Sequence, residues 1–389
     1  MVKSVFFVKM ILFVLPLLIL IVGVIFIALY SGEALPPRAA YAAQASSPGA
    51  LYMTSHRRYD FLYKVFGFEA VQPEVLFLGA SRVLTFRAGF VNRNPAVGYN
   101  ASLPGHGMED VEAFIDLFTP ENAPKIVLLQ VDQFWFNPDW PTTSEEPLAK
   151  STDVDPERIV TDTRHVIREM LRGGVTIEQL LRRSHPAFNR LALGINAIRN
   201  GDGFALDGGI QNVPKPYDQA EQMVKLGLAI SHLHQGSGHY LHGAEVNEVA
   251  LDNLERMLDK AAALNIEVIG FAPGFMPTLY AEMIRAGNHT YIAKSMTRVQ
   301  AIFEERGFYF FDFTDLSALG TDAEMLDGNH STEMLSLKMY MKMVEGAPEI
   351  LGPYSDLEGL QRMLDNAVSP SEVVPREYWT ASVPSTYRQ

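Results

Sequence analysis

The sequence predicts an α/β fold built on a doubly wound, five-stranded parallel sheet, and three observations carry that reading. Five short apolar runs, rich in β-branched or aromatic residues and bounded by turn signals, read as strands buried on both faces. Amphipathic helical patterns sit between several of them. Their alternation is the mark of an open parallel sheet, whose ligand crevice lies at the carboxyl ends of the strands.

The strands are expected at residues 74–78, 96–100, 125–131, 266–271 and 308–313. After the second, Val111, Phe114, Ile115 and Phe118 share one helical face; before the fourth, Val249, Leu254, Met257, Leu258, Ala261 and Leu264 do likewise. Residues 132–247 are far more than one crossover needs and read as an insertion, or cap, that is mostly helical. Helices are expected there near 157–171 and 176–183, with turns at Asn200-Gly201-Asp202-Gly203 and Asp207-Gly208-Gly209. An insertion at a strand's carboxyl end shapes access to the site. The expected organisation is a membrane anchor over 1–31, a tether over 32–50 and a catalytic domain over 51–365. An extended Pro/Ser-rich tail over 366–389 follows.

Met10 to Tyr30 carries no charged residue. At about 1.5 Å per residue such a helix matches the roughly 30 Å hydrocarbon core of a bilayer. Lys3 and Lys9 precede it, whereas Glu33 and Arg38 follow in a Pro/Ala/Ser-rich stretch, which places the remainder outside the cytoplasm, in the periplasm or at the cell exterior. Ala40-Tyr41-Ala42 has the small-x-small form of a signal-peptide cleavage site. Signal-peptide apolar cores run only about 7–15 residues, so a retained single-pass anchor is the expectation. The chain has no cysteine, which excludes disulfides and thiolate metal sites. A formal charge of −13 argues against generic nucleic-acid binding, since phosphate neutralisation needs clustered Lys and Arg.

Two short segments could carry chemistry. Gly79-Ala80-Ser81-Arg82 follows the first strand directly, where a serine hydroxyl projects from a strand-to-helix turn; the bland alternative for Ser81 is a helix cap. Asp327-Gly328-Asn329-His330 follows the last strand's loop, and its spacing lets a carboxylate orient an imidazole as general base; it too could be a cap. In the insertion, His232, His234, His239 and His242 have metal-like spacing but no supporting ligand set, so no metal or cofactor is expected. Phe134, Trp135, Phe136 and Trp140 fall near the expected rim, either to stack on sugar rings or to pack beneath the cap.

In this order and placement, the two segments make the chain similar to the SGNH (GDSL-like) hydrolase superfamily over roughly residues 74–344. That resemblance implies a flavodoxin-like sheet and a Ser81, His330, Asp327 triad. Tyr99-Asn100-Ala101-Ser102-Leu103-Pro104-Gly105 resembles the block whose glycine amide helps form the oxyanion hole, with Gly105 at the matching position. Asn100, Arg82, Asp132 and Trp135 join Gly105 as expected oxyanion or substrate-binding residues. The chain departs from the pattern at the third block, where Asp132 stands in place of an Asn donor. Losing one oxyanion donor typically costs about 2.7–4 kcal/mol.

In character the chain resembles membrane-anchored exopolysaccharide (alginate-type) O-acetyltransferases and the single-pass protein of teichoic-acid D-alanylation. The resemblance implies O-acyl, specifically O-acetyl, transfer to a cell-surface polysaccharide through an acyl-serine, beside a multispan membrane O-acyltransferase. The anchor, the cap and the missing Asn favour transfer over hydrolysis. The alternatives are a carbohydrate esterase or lipase-like hydrolase using the same triad, and a non-catalytic protein that binds glycan or a membrane partner.

Overall fold

A computed structural model describes residues 2–47, 49–55, 60–103, 107–141, 156–185, 190–212, 218–375 and 378 of the 389-residue chain. It opens with α1 (Val2–Tyr30), α2 (Pro37–Ala45), β1 (Leu51–Tyr52) and α3 (Asp60–Val71). Next come β2 (Val75–Gly79), β3 (Gly98–Ser102), α4 (Met108–Ile115) and β4 (Ile126–Gln130). The long insertion holds α5 (Pro156–Leu171), α6 (Ile177–Arg182), β5 (Ala192–Leu193), α7 (Ile195–Asn200), β6 (Gly203–Phe204), β7 (Ile210–Gln211) and α8 (Gln219–Gln235). The chain then returns through α9 (Glu248–Ala263), β8 (Glu267–Ala272), α10 (Pro277–Ala286), α11 (Thr290–Glu305), β9 (Tyr309–Asp312) and α12 (Glu333–Gly346), and ends in short helices at 348–351 and 357–365.

The main sheet runs β3-β2-β4-β8-β9, with every neighbouring pair parallel. Each strand lies within two residues of its expected limits. The reason is compositional: Val75, Leu76, Phe77 and Leu78 are all buried, so both faces of β2 meet packed side chains and the run reads apolar without alternation. Phe77, for instance, meets the rings of Phe86 and Tyr340 at 5.6 and 5.8 Å. From β2 the chain first adds β3 on one side and then crosses to β4 on the other, so loops diverge at the carboxyl end of β2 and leave a crevice. Gly79 closes β2 because a Cβ there would lie 2.5 Å from Gln130 Cβ on β4.

One part of the insertion packs on the main unit through Ala229, Leu233 and Tyr240, and another part builds a sheet of its own. Its strands β5, β6 and β7 join β1 in a second sheet, ordered β5-β1-β6-β7. Around it gathers a separate apolar cluster that includes Tyr41, Leu51, Tyr52, Tyr63, Leu193 and Phe204. The segment expected to be a tether also differs. Pro37–Ala45 is helical, and Ala40, Tyr41, Gln44 and Ala45 are buried. Gln44 Nε2 donates to the Ala50 and Phe204 carbonyls, both at 2.7 Å, and Gln44 Oε1 accepts from the Tyr63 hydroxyl. An Ala-rich stretch with no apolar periodicity looks like a linker locally; here its small side chains let α2 approach its neighbours closely. Helix α1 ends in the same module, where buried Glu33 accepts from the Ser55 and Ile195 amides at 2.9 and 2.7 Å. The tail begins as a strap: Glu333 Oε1 accepts from the amides of Val373 and Val374, at 2.9 and 2.6 Å.

The two units are stitched together by buried charge. Arg87, in the loop after β2, grips Asp207 of the insertion at 2.9 and 3.2 Å and reaches Glu333 of α12 at 3.3 Å. Lys64 of α3 donates to the Asn100 carbonyl at 3.3 Å and to the Gly208 carbonyl, and lies 3.9 Å from the Phe204 ring centre. Burial pushes its amine down to about 7, although Asp60 and Asp207 pull the other way. Arg87→Met would leave two buried carboxylates without their cation. Equilibrium denaturation of that variant should show a loss of about 3–5 kcal/mol, and a loss under about 1 kcal/mol would mean the network does not join the units.

Candidate active site

Two loops at the carboxyl edge of the sheet build the site. After Gly79 the chain turns at Ala80, and Ser81 opens a single 3-10 turn to Val83. Opposite, Asp327 to His330 forms a tight loop ahead of α12, closed by a 2.7 Å bond from the Leu326 amide to the His330 carbonyl. Asp327 Oδ1 accepts from the amides of Asn329 and His330, at 3.0 and 2.9 Å, so the carboxylate is locked by its own loop. Gly328 is needed because a Cβ there would lie 2.4 Å from Tyr240 Oη and 2.9 Å from Ala229 Cβ of α8.

From this loop His330 reaches across the crevice. Its Nδ1 lies 2.8 and 2.9 Å from the two Asp327 oxygens, and its Nε2 lies 2.8 Å from Ser81 Oγ. An acceptor-only carboxylate requires the proton on Nδ1, which leaves Nε2 to accept from the serine hydroxyl. Burial by itself raises the Asp327 carboxyl, but its hydrogen bonds to His330 and to the two amides outweigh it and hold the group well below the usual carboxylate range. It therefore stays ionised and can stabilise an imidazolium. This is the geometry of nucleophile, general base and orienting acid. The cleft around it, about 230 Å³, is lined by Leu84, Ile210, Asn212 and Leu326 together with the triad. That is smaller than the roughly 300–1,000 Å³ of drug-sized sites.

Of the other expected site residues, Arg82 borders the cleft and Asn100, Asp132 and Trp135 lie away from it. Arg82 is buried, and all five of its N–H donors are taken: Nε by the Asn329 carbonyl (2.8 Å), one terminal nitrogen by Asp132 and Gln133 (3.0 and 2.7 Å), the other by the Pro273 (2.6 Å) and Gly274 carbonyls. Nothing of it remains for substrate. Asp132 is equally buried as its partner. Asn100 donates to the Val83 and Phe86 carbonyls at 2.7 and 2.8 Å and accepts from the Ser102 amide, so it braces the loop that carries Ser81 instead of facing the cleft. Trp135 is 3% exposed and packed in the core beside Phe134, out of reach of any sugar. Gly105 lies outside the described residues.

The insertion histidines go to separate partners. His232 meets Ser237, His234 pairs with Glu282 and His242 meets the Leu233 carbonyl. His239 packs against the rings of Phe134 and Trp140, at 4.7 and 5.4 Å, and its burial pushes the imidazole down to about 4. Among the described residues no three His, Cys, Asp or Glu side chains group as metal ligands.

Three residues that sequence reasoning missed matter here. Gln133 fixes Arg82 and also donates to the Pro273 carbonyl and Thr314 Oγ1 at 2.7 and 2.8 Å. Ile210 and Asn212 bring the insertion to the cleft. The only sequence signal was the turn at Asp207-Gly208-Gly209 just before them. In comparisons with known proteins, no family model and no curated sequence matches the chain.

Asp327→Asn should keep the loop's shape but present the wrong hydrogen-bonding group to Nδ1, lowering kcat on a chromogenic acetate ester by on the order of 10⁴-fold. Because the Asp327 carboxyl is held below its ordinary value near 3.9, its contribution is present above that value and is lost only as pH falls through the lower folded one. The acidic limb of the wild-type pH–rate profile should therefore not follow this carboxylate; a limb that does would refute the assignment.

Proposed function

We propose that this chain transfers an O-acyl group, specifically acetyl, to a hydroxyl of a cell-surface polysaccharide through an ester on Ser81. The observation that carries the proposal is the 2.8 Å contact between Ser81 Oγ and His330 Nε2, with Asp327 behind the imidazole. The β3-β2-β4-β8-β9 strand order supports reading the sheet as doubly wound and of the SGNH type, with the serine at its switch point. In the first half-reaction His330 Nε2 takes the Ser81 proton as Oγ attacks the donor carbonyl, then returns it to the leaving group. In the second it takes a proton from the sugar hydroxyl, which attacks the acyl carbonyl and releases Ser81. With Asp132 held by Arg82, oxyanion stabilisation rests on backbone amides, that of Ser81 among them.

The N-terminal helix, apolar over Lys9–Tyr30, supports a single-pass anchor that keeps the serine beside an acyl donor delivered at the membrane, as a multispan O-acyltransferase would do. A second reading, carbohydrate esterase, is favoured by the openness of the triad: the His330 and Asp327 side chains are 25% and 44% exposed, so water reaches the acyl-enzyme. An activated acetyl ester supplied with and without oligosaccharide acceptors separates the two, with Ser81→Ala as the blank. Acetyl-sugar should exceed free acetate at saturating acceptor. If acetate dominates for several acceptor classes, and deletion in cells leaves polymer acylation unchanged, the esterase reading replaces this one.

A further inference from the structure

We propose that the helix pair α5–α6 is a membrane-interfacial platform, seated in the outer leaflet of the lipid bilayer beside α1; the inference rests on α1 spanning that bilayer. The first observation is depth. Residues 10–22 of α1 are exposed, but Gly23, Val24, Ile25, Ile27 and Leu29 are partly covered and Ala28 is fully buried. The elements that pack along this helix are α5 and α6. The covered turns belong to the same apolar stretch, Lys9–Tyr30, that is long enough to cross a membrane. At 1.5 Å per residue, Ile27, which packs against the apolar cluster of the small sheet, lies roughly 4–5 Å below Tyr30, so that contact sits at the level of the headgroups or beneath them.

The second observation is that α5 is turned the wrong way for water. Beside Val166 and Met170, its buried face carries Arg158, Asp162, Thr163 and Glu169, tied by the Arg158–Asp162 pair at 3.2 Å and the Arg199–Glu169 pair at 2.9 Å. Its outward face carries Val160, Ile167 and Leu171, which are 46%, 39% and 84% exposed, with Arg164, Arg168 and Arg172 exposed between them. Helix α6 extends this surface with Ile177 and Leu181. Apolar side chains among arginines, on a chain of net charge −13, match an acyl boundary fringed by anionic headgroups. At the upper edge Arg183 stacks on Tyr30, 4.3 Å from the ring centre, where an aromatic belt residue belongs. Continuity with the spanning helix selects the bilayer over a second protein as the occupant.

The chain has no cysteine, so single spin labels can be placed in the full-length protein reconstituted in phosphatidylcholine–phosphatidylglycerol vesicles. Ile167→Cys, Leu171→Cys and Ile177→Cys probe the platform, Leu18→Cys is the reference in α1, and Ile284→Cys on α10 is the water reference. The platform labels should collide more with dissolved oxygen than with a water-soluble nickel chelate, as the Leu18 label does, and the Ile284 label should do the reverse. Platform labels that follow Ile284 while Leu18 reads lipid overturn the proposal and leave the anchor standing; a Leu18 label that reads water overturns both. Spin–spin broadening at Leu171 that vanishes on dilution with unlabelled chain assigns the face to a second copy and also overturns it.

Discussion

A guanidinium with no water around it must find an acceptor for every N–H, and the site of this protein is organised by how Arg82 does so. Its five donors reach the end of β4 through Asp132 and Gln133, the exit of β8 through the Pro273 and Gly274 carbonyls, and the loop of Asp327 and His330 through the Asn329 carbonyl. Phe275 covers the group, with its ring centre 4.9 Å away. Burial lowers the Arg82 pKa and raises that of Asp132, each against the pull of its partner. Desolvation thus costs both ions, and the pair's value lies in fixing one arrangement of three strand exits and one loop more than in net stability. Because Arg82 follows Ser81 in the chain and holds the carbonyl that precedes His330, the serine–imidazole distance is set by one rigid side chain.

A second buried arginine does for the modules what Arg82 does for the loops. Arg87 is held between Asp207 and Glu333, and their charges outweigh burial to keep its pKa above the usual value. Through Asp207 it fixes the turn that leads into β7, which carries Ile210 and Asn212 to the cleft. Through Glu333 it fixes the start of α12 and, beyond that, the strap at Val373 and Val374. Through Ile210 and Asn212 the described part of the insertion therefore contributes an edge of the cleft.

The small sheet gives the N-terminal segment a structural role beyond attachment. Glu33, α2 and β1 are packed into it, so α1 emerges from a folded module and not from a loose linker. A helix joined in this way transmits orientation: the direction of α1 is fixed relative to the module that brings Ile210 and Asn212 to the cleft.

Sequence by itself determined the five strands of the main sheet, the helices at 108–115 and 248–263, the apolar N-terminal helix and the three residues that meet at the cleft. These features are legible because they depend on local pattern: a strand buried on both faces must be apolar throughout, and Asp327 and His330 are bonded within one turn of chain. What only the tertiary structure decided depends on partners distant in sequence. Arg82 and Asp132, fifty positions apart, neutralise each other, so two residues with the chemistry of a binding site are occupied internally. Trp135 and Asn100 carry functional chemistry in their side chains, yet burial and backbone carbonyls claim them. The stretch at 32–50 has no pattern of its own, because the surface that makes it helical and buried comes from residues more than a hundred positions away, such as Leu193 and Phe204. Local periodicity records which face of an element is buried; it does not record what that face meets.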